Sequence, residues 1–177
     1  LPFEHEIDAE NTIITPGFID CHTHPIFTSN RAKEFNLRAS GHTYEEIANQ
    51  GGGINSSVSS LRDTNEDDLY ELCISRMDQF LFNGTTTLEA KSGYGLTVKD
   101  EIKSLQVIKK INEELLIDIL PTFLGAHAIP KEYKTDDYVN IICEEMIPQI
   151  SEEKLAVFCD VFCEEGYFNI DQSRKIL

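Results

Sequence analysis

Four times along this chain a strand-length apolar run is followed by a stretch of helical periodicity, and this alternation limits the fold more than any other feature of the sequence. The strand-like runs lie at 18–21, 85–90, 116–123 and 156–162. A helix follows each of them before the next begins, so successive strands return in the same direction and form a parallel sheet with right-handed crossovers. The fold class is therefore α/β. No internal sequence repeat accompanies the rhythm, and no low-complexity linker divides the chain.

The helical stretches carry their own start and stop signals. Residues 64–82 place Leu69, Leu72, Cys73, Met77, Phe80 and Leu81 on one face, with Asp67 and Asp68 in the first turn and Asn83-Gly84 as the stop. Thr97 caps a second helix carrying Ile102, Leu105, Ile108 and Ile111. Asp136 or Asp137 caps a third with Val139, Ile142, Cys143, Met146 and Ile147, closed by Pro148, and residues 169–177 begin a fourth. Thr43-Tyr44-Glu45-Glu46 has capping-box spacing and starts a short helix that Gly51-Gly52-Gly53 ends. The glycine triplet lacks the Lys-Ser/Thr of a phosphate loop and reads as a flexible connector. Residues 26–41 read as a long irregular segment, of the kind often held over a site. Residues 1–15 alternate weakly, as the end of a small β element or linker, and His5 there reads as exposed; residues 16–177 form the main body.

The balance of 31 acidic against 15 basic residues, a formal net charge of −16, argues against nucleic-acid and anionic-membrane partners and suits an acidic cytoplasmic surface. Five cysteines without a framework spacing suggest reduced thiols in the cytoplasm. Cys159 and Cys163, four apart in an apolar run, suit core packing better than ligation. No window approaches the roughly 18 apolar residues of a membrane span, and no basic-then-apolar leader pattern opens the chain. At 177 residues it has room for one domain with a sizeable core, yet a complete α/β barrel needs roughly 250. The chain opens at Leu1 without a Met, which suggests a piece of something longer.

The chemistry concentrates at the ends of the strands. After the break at Pro16-Gly17, Phe18-Ile19-Asp20-Cys21 reads as a buried strand delivering His22 and His24, which alternation places on one face. Two neutral imidazoles from one strand supply half of a four-coordinate zinc-type site, and Pro25 leaves them at the strand's C-terminal mouth, where α/β enzymes keep their chemistry. A bare His-x-His pair is also compatible with solvated or core histidines. The second strand exits through Lys91-Ser92-Gly93-Tyr94-Gly95, where the flanking glycines leave the Tyr94 ring mobile. The third exits through Leu124-Gly125-Ala126-His127, so His127 is either a ligand-contacting group or a satisfied polar core residue.

Pro-Gly-Phe-Ile-Asp-x-His-x-His resembles the first-strand signature of the metal-dependent amidohydrolases. Asn30-Arg31, Ser92-Gly93-Tyr94-Gly95, Phe123-Leu124-Gly125-Ala126-His127-Ala128-Ile129-Pro130 and Asp160-Val161-Phe162-Cys163-Glu164 are similar, within that superfamily, to the imidazolonepropionase family. The resemblance implies a partial (β/α)8 TIM-type barrel of the amidohydrolase type, about its first four β/α units, over residues 16–177. It implies one zinc or iron ion held by His22 and His24. Arg31 and Tyr94 are implied as substrate-binding groups, His127 as a catalytic and substrate-contacting residue near the metal, and Tyr44 as a further residue beside the substrate. The implied reaction adds water to 4-imidazolone-5-propanoate and opens its ring to N-formimidoyl-L-glutamate, in a cytoplasmic homodimer.

These roles suit the residues. A metal lowers the pKa of bound water toward about 7. Arg31 offers a planar fork to a carboxylate, although a surface loop charge is the alternative, and His127 can hydrogen-bond a ring nitrogen or developing charge. The family also takes a third histidine and an aspartate from later strands, which the matched motifs do not reach. Four strands cannot close a barrel, so open edges and apolar faces are expected. Two alternatives follow: another amidohydrolase, such as a ring-amidine deaminase or a dihydroorotase-like ring opener, or a non-catalytic structural or binding module. A carboxylate clamp of Arg31 with Tyr94 distinguishes the first, because a neutral purine or pyrimidine needs none.

Overall fold

The computed structural model describes residues 7–43, 46–47 and 52–177. Its centre is one four-stranded sheet of order β1-β2-β3-β4, formed by β1 (Phe18–Thr23), β2 (Thr85–Lys91), β3 (Asp118–Ala126) and β4 (Phe158–Val161). Every neighbouring pair is parallel, as the alternation requires. The sheet has the form of half of a β/α barrel, open along β1 and β4.

Amphipathic helices cover its outer face. These are α3 (Glu66–Phe82), capped by the Asn65 side chain, and α4 (Val98–Glu114), capped by Thr97, whose Leu69, Cys73, Met77, Leu105, Ile108 and Ile111 form a core with Leu88 and Ala90 of β2. Leu72, expected on the buried stripe, is instead exposed, since the buried arc of α3 runs through Leu69, Tyr70, Cys73 and Met77. Helix α7 (Ile170–Ile176) follows β4 and opens on a capping box of Asn169 and Gln172.

Several expectations are corrected. The segment expected to be irregular contains α1 (Ala32–Ala39), which buries no residue and so carries no apolar stripe. It is tethered by Glu34, whose Oε2 accepts from Arg31 Nε at 2.7 Å and whose Oε1 accepts from the Gly53 amide at 3.0 Å. Beyond the glycines lies an unanticipated helix, α2 (Ile54–Asp63), burying Ser57, Val58 and Leu61. Its apolar spacing is hidden among serines, and Gly53 starts it at φ 73°, a left-handed conformation open to glycine at little cost. Thr43 and Glu46 do exchange both capping-box bonds, at 2.9 and 3.2 Å.

Pro148 does not close the third expected helix. Helix α5 (Thr135–Ile141) widens into a π-helical turn (Ile142–Met146) and continues as α6 (Ile147–Glu152). The wider turn lies where proline has no N–H to give to the preceding turn. Cys159 and Cys163 are exposed rather than packed in the core.

The first strand is likewise not buried. Phe18 is 61%, Ile19 72% and, on the opposite edge strand, Phe158 56% exposed. Strands of a barrel read as continuous apolar runs because they are covered on both faces, and here β1 and β4 each have a neighbour on one side only. Among the described residues, 7–17 carry a turn at Ala9–Thr12, closed at 3.1 Å, and no strand.

Candidate metal and substrate site

The site is built where β1, β2, β3 and β4 end. Register along β1 and β2 runs Asp20 opposite Leu88, then Thr23 opposite Ala90, so three steps on β1 match two on β2. Such a bulge re-aims side chains. It leaves the Thr23 amide off the regular ladder, and that amide donates to Glu89 Oε2 at 3.2 Å while Thr23 Oγ1 donates to the Glu89 carbonyl at 2.6 Å. On either side of Thr23 the two imidazoles converge, with His22 Nε2 and His24 Nε2 3.3 Å apart.

Glu89 is itself held. Lys91 is 5% exposed and places Nζ 2.7 Å from Glu89 Oε1 and 2.8 Å from Asp160 Oδ2, bridging β2 to β4 on the inner face. Burial alone would lower the Lys91 pKa, but the hydrogen bonds and charges of Asp160 and Glu89 raise it above the ordinary value. Asp160 is pushed up by burial, and Lys91 nevertheless holds it below the ordinary carboxylate range. The ammonium is thus a fixed positive charge beside the histidines. Burial above all, then the charges of His127, His22 and Lys91, lower the His24 pKa to about 4 against the opposing charge of Glu89. His24 is neutral at pH 7, as a metal ligand must be.

The remaining groups surround that pair. The loop after β2 brings the Tyr94 ring to 6.1 Å from His24 and 5.2 Å from His127, centroid to centroid, and His127 stacks on His24 at 5.1 Å. His127 Nδ1 lies 2.8 Å from the Gly93 carbonyl, so that nitrogen carries the proton in the neutral ring and Nε2 is the bare acceptor. Burial lowers the His127 pKa, with the Gly93 carbonyl and Asp160 opposing. Burial raises the Tyr94 pKa, and the charge of Arg31 opposes it. Arg31, at the start of α1, is exposed and ion-paired to Glu34. Tyr44 lies outside the described residues.

Four of the residues singled out by the sequence, His22, His24, Tyr94 and His127, therefore meet at one mouth, whereas Arg31 pairs with Glu34 outside it and reaches Tyr94 through its charge. Glu89, Lys91 and Asp160 were missed. The signal for the first two was present, because Glu89 and Lys91 alternate on one face of a strand; Asp160 joins them only through the fold.

The pair of imidazoles fits a metal ion in its spacing. Two nitrogens each at roughly 2.0–2.1 Å from one tetrahedral centre stand about 3.3–3.4 Å apart, and the Nε2 atoms stand 3.3 Å apart. The other ring nitrogen of His24, Nδ1, is not part of that pair and is buried with no partner, one of two such polar atoms among the described residues, the other being Thr122 Oγ1. An N–H···N bond between the two rings would account for the spacing as well. Among the described residues no cluster of three or more His, Cys, Asp or Glu side chains is placed to hold a metal. Histidine nitrogen suits zinc and iron alike.

A parallel sheet with helices on its outer face, and candidate site residues gathered at the C-terminal ends of its strands, fits part of a β/α barrel. No family model matches the chain. It is 53% identical to an imidazolonepropionase of Brevibacillus brevis over 97% of its own length and 41% of that protein's. It is 49% identical to one of Clostridium tetani, with the same coverage. It is 48% identical to one of Vibrio parahaemolyticus, over 98% of this chain and 42% of the relative. The chain belongs to the imidazolonepropionase family. It spans about two fifths of the length of the curated relatives it matches.

Proposed function

We propose that this chain is the part of a metal-dependent imidazolonepropionase that supplies two metal ligands and the substrate-binding groups, within an amidohydrolase-type (β/α)8 barrel. The whole protein hydrolyses 4-imidazolone-5-propanoate to N-formimidoyl-L-glutamate, as a cytoplasmic homodimer. The observation that carries this reading is the convergence of His22 Nε2 and His24 Nε2 to 3.3 Å beside His127 and Tyr94.

His22 and His24 hold the metal, zinc or iron. When bound, such an ion acidifies water toward a pKa of about 7 and polarises the bond under attack. The chain's own residues do the rest. Arg31 binds the propanoate carboxylate with its planar fork, oriented by Glu34. His127 presents Nε2 to a ring N–H, or takes a proton there as the ring carbon turns tetrahedral. Tyr94 closes over the ring, its hydroxyl kept protonated by burial and so able to donate. The buried Lys91 stands near the reacting centre and favours the accumulation of negative charge there.

The test is His22→Ala in the full-length protein. Metal content and turnover of the imidazolone should both be lost; retained hydrolysis would sink the assignment. Only two ligands cluster among the described residues, so the 177-residue chain assayed alone should bind metal weakly and turn nothing over. A full-length protein that deaminated a neutral ring amidine instead would favour the rival amidohydrolase.

A further inference from the structure

Glu101 lies in the first turn of α4 and is 0% exposed. A buried carboxylate costs several kcal/mol unless hydrogen bonds replace its water. Its backbone partners belong to one short loop: Oε2 accepts from the Gly93 amide at 3.0 Å, and Oε1 accepts from the amides of Gly95 and Leu96, both at 2.8 Å. Capping does not explain it, because the Thr97 side chain already accepts from Asp100 N at 3.0 Å and caps the helix.

The two bonds to Gly93 and Gly95 bracket the Gly93–Tyr94 peptide. That peptide's carbonyl is the group that receives His127 Nδ1–H at 2.8 Å. The loop is wedged tightly in place. A Cβ on Gly93, at φ +110°, would come within 2.8 Å of the Leu124 carbonyl and 3.0 Å of His127 Nδ1, and a Cβ on Gly95 would come within 2.5 Å of the Asp100 backbone. The side chain therefore fixes the one peptide that sets the orientation and tautomer of His127, and it carries Tyr94 on the same loop.

We propose that Glu101 is a positioning residue, shaping the loop at 92–96 so that the Gly93 carbonyl holds His127 as the Nδ1–H imidazole with Nε2 toward the substrate. This rests on the role given to His127 above. Groups that orient a metal-ligating histidine are worth about 10–100-fold in activity or affinity, and the same scale is expected for a group that orients His127. Gln at 101 keeps the shape, but its NH2 meets amide donors in place of an acceptor oxygen.

The experiment uses the full-length protein with 15N-labelled histidine, its nitrogen shifts read at neutral pH beside kcat and KM. Wild type should show His127 protonated at Nδ1. Glu101→Gln should lose that single tautomer and lower kcat/KM about 10–100-fold, while Glu101→Asp, which keeps the carboxyl group on a shorter arm, should fall between. Ile108→Val, a core change in the same helix, should lower thermal stability and leave the His127 signals and the kcat-to-KM balance alone. A folded Glu101→Gln protein with the wild-type tautomer and kcat/KM would overturn the inference, as would an Ile108→Val protein whose His127 shifts equally. If Glu101→Gln does not fold, Glu101→Asp carries the same decision. The nitrogen spectra decide the positioning role even without turnover, whereas an inactive wild type with His127 held at Nδ1 counts against the proposed function alone.

Discussion

The amide of Thr23 donates to the carboxylate of Glu89 across the β1–β2 boundary at 3.2 Å, and in doing so fixes the residue that separates the two candidate metal ligands. A Gln at 89 keeps one acceptor but leaves Lys91 to Asp160 alone. Glu89→Gln in the full-length protein should weaken metal binding about 10–100-fold and cost about 1–3 kcal/mol of stability. Zinc titration and urea unfolding measure the two effects. Adding Lys91→Met should recover part of the stability, because it removes the under-compensated buried charge.

Arg31 has its Nε committed to Glu34 at 2.7 Å, which sets the plane of its guanidinium. Lysine in its place offers a point charge without the fork. Arg31→Lys should raise KM for the imidazolone about tenfold while kcat stays within about threefold, the signature of binding lost equally from ground and transition states. Steady-state kinetics on the full-length protein decide it; an equal fall in kcat would place Arg31 nearer the reacting atoms.

The lowered pKa of His24, about 4, makes a statement about acid stability. As pH falls, the unfolded chain takes up the proton near the ordinary value of about 6.5, whereas the folded chain does so only near 4. The contribution of this group is therefore complete above about pH 6.5 and is lost progressively as pH falls toward about 4. Urea midpoints of the metal-free protein should drop across that window, and the drop should be shallower in His24→Asn.

Tyr138 is buried, and its hydroxyl donates to the Gly125 carbonyl at 2.9 Å, two residues before His127. Burial raises its pKa, so the donor is present throughout the working range. Tyr138→Phe leaves that carbonyl without its partner and should cost about 1–2 kcal/mol, read as a lower unfolding midpoint. A larger fall in turnover than in stability would show that the bond also sets the path of the chain into His127.

Phe18 and Ile19 on one edge strand, with Val157 and Phe158 at the other, leave apolar surface beside unpaired backbone. Such edges pair with other chains. The 177-residue chain alone should self-associate in sedimentation runs, and Phe158→Lys should shift it toward the monomer; a monodisperse monomer for the unsubstituted chain would contradict this.

The parallel sheet and its helices were legible because alternation of strand and helix leaves few other solutions, and because Asn83-Gly84, Thr97 and Asn169 mark helix ends chemically. Helices α1 and α2 were not, since one buries nothing and the other hides Val58 and Leu61 among serines. The convergence of His22, His24, Tyr94 and His127 could be anticipated from their places at strand ends. The groups that hold them could not: Glu101 acts on a loop five to eight residues back in sequence, and Asp160 reaches Lys91 over an intervening strand. Period and spacing report which face a residue occupies, and they carry no sign of which carboxylate will accept which amide.

The two convergent histidines sit at the end of β1, and β1 is an edge of the sheet. A strand that docks parallel along its open side, as every neighbouring pair in this sheet does, arrives with its own C-terminal end beside them. If that strand brings further ligands under the proposed function, pairing of backbone and completion of the coordination shell become one event. A metal ion at this mouth would act as a rivet across the seam, so that ion concentration and sheet closure report on each other by mass action.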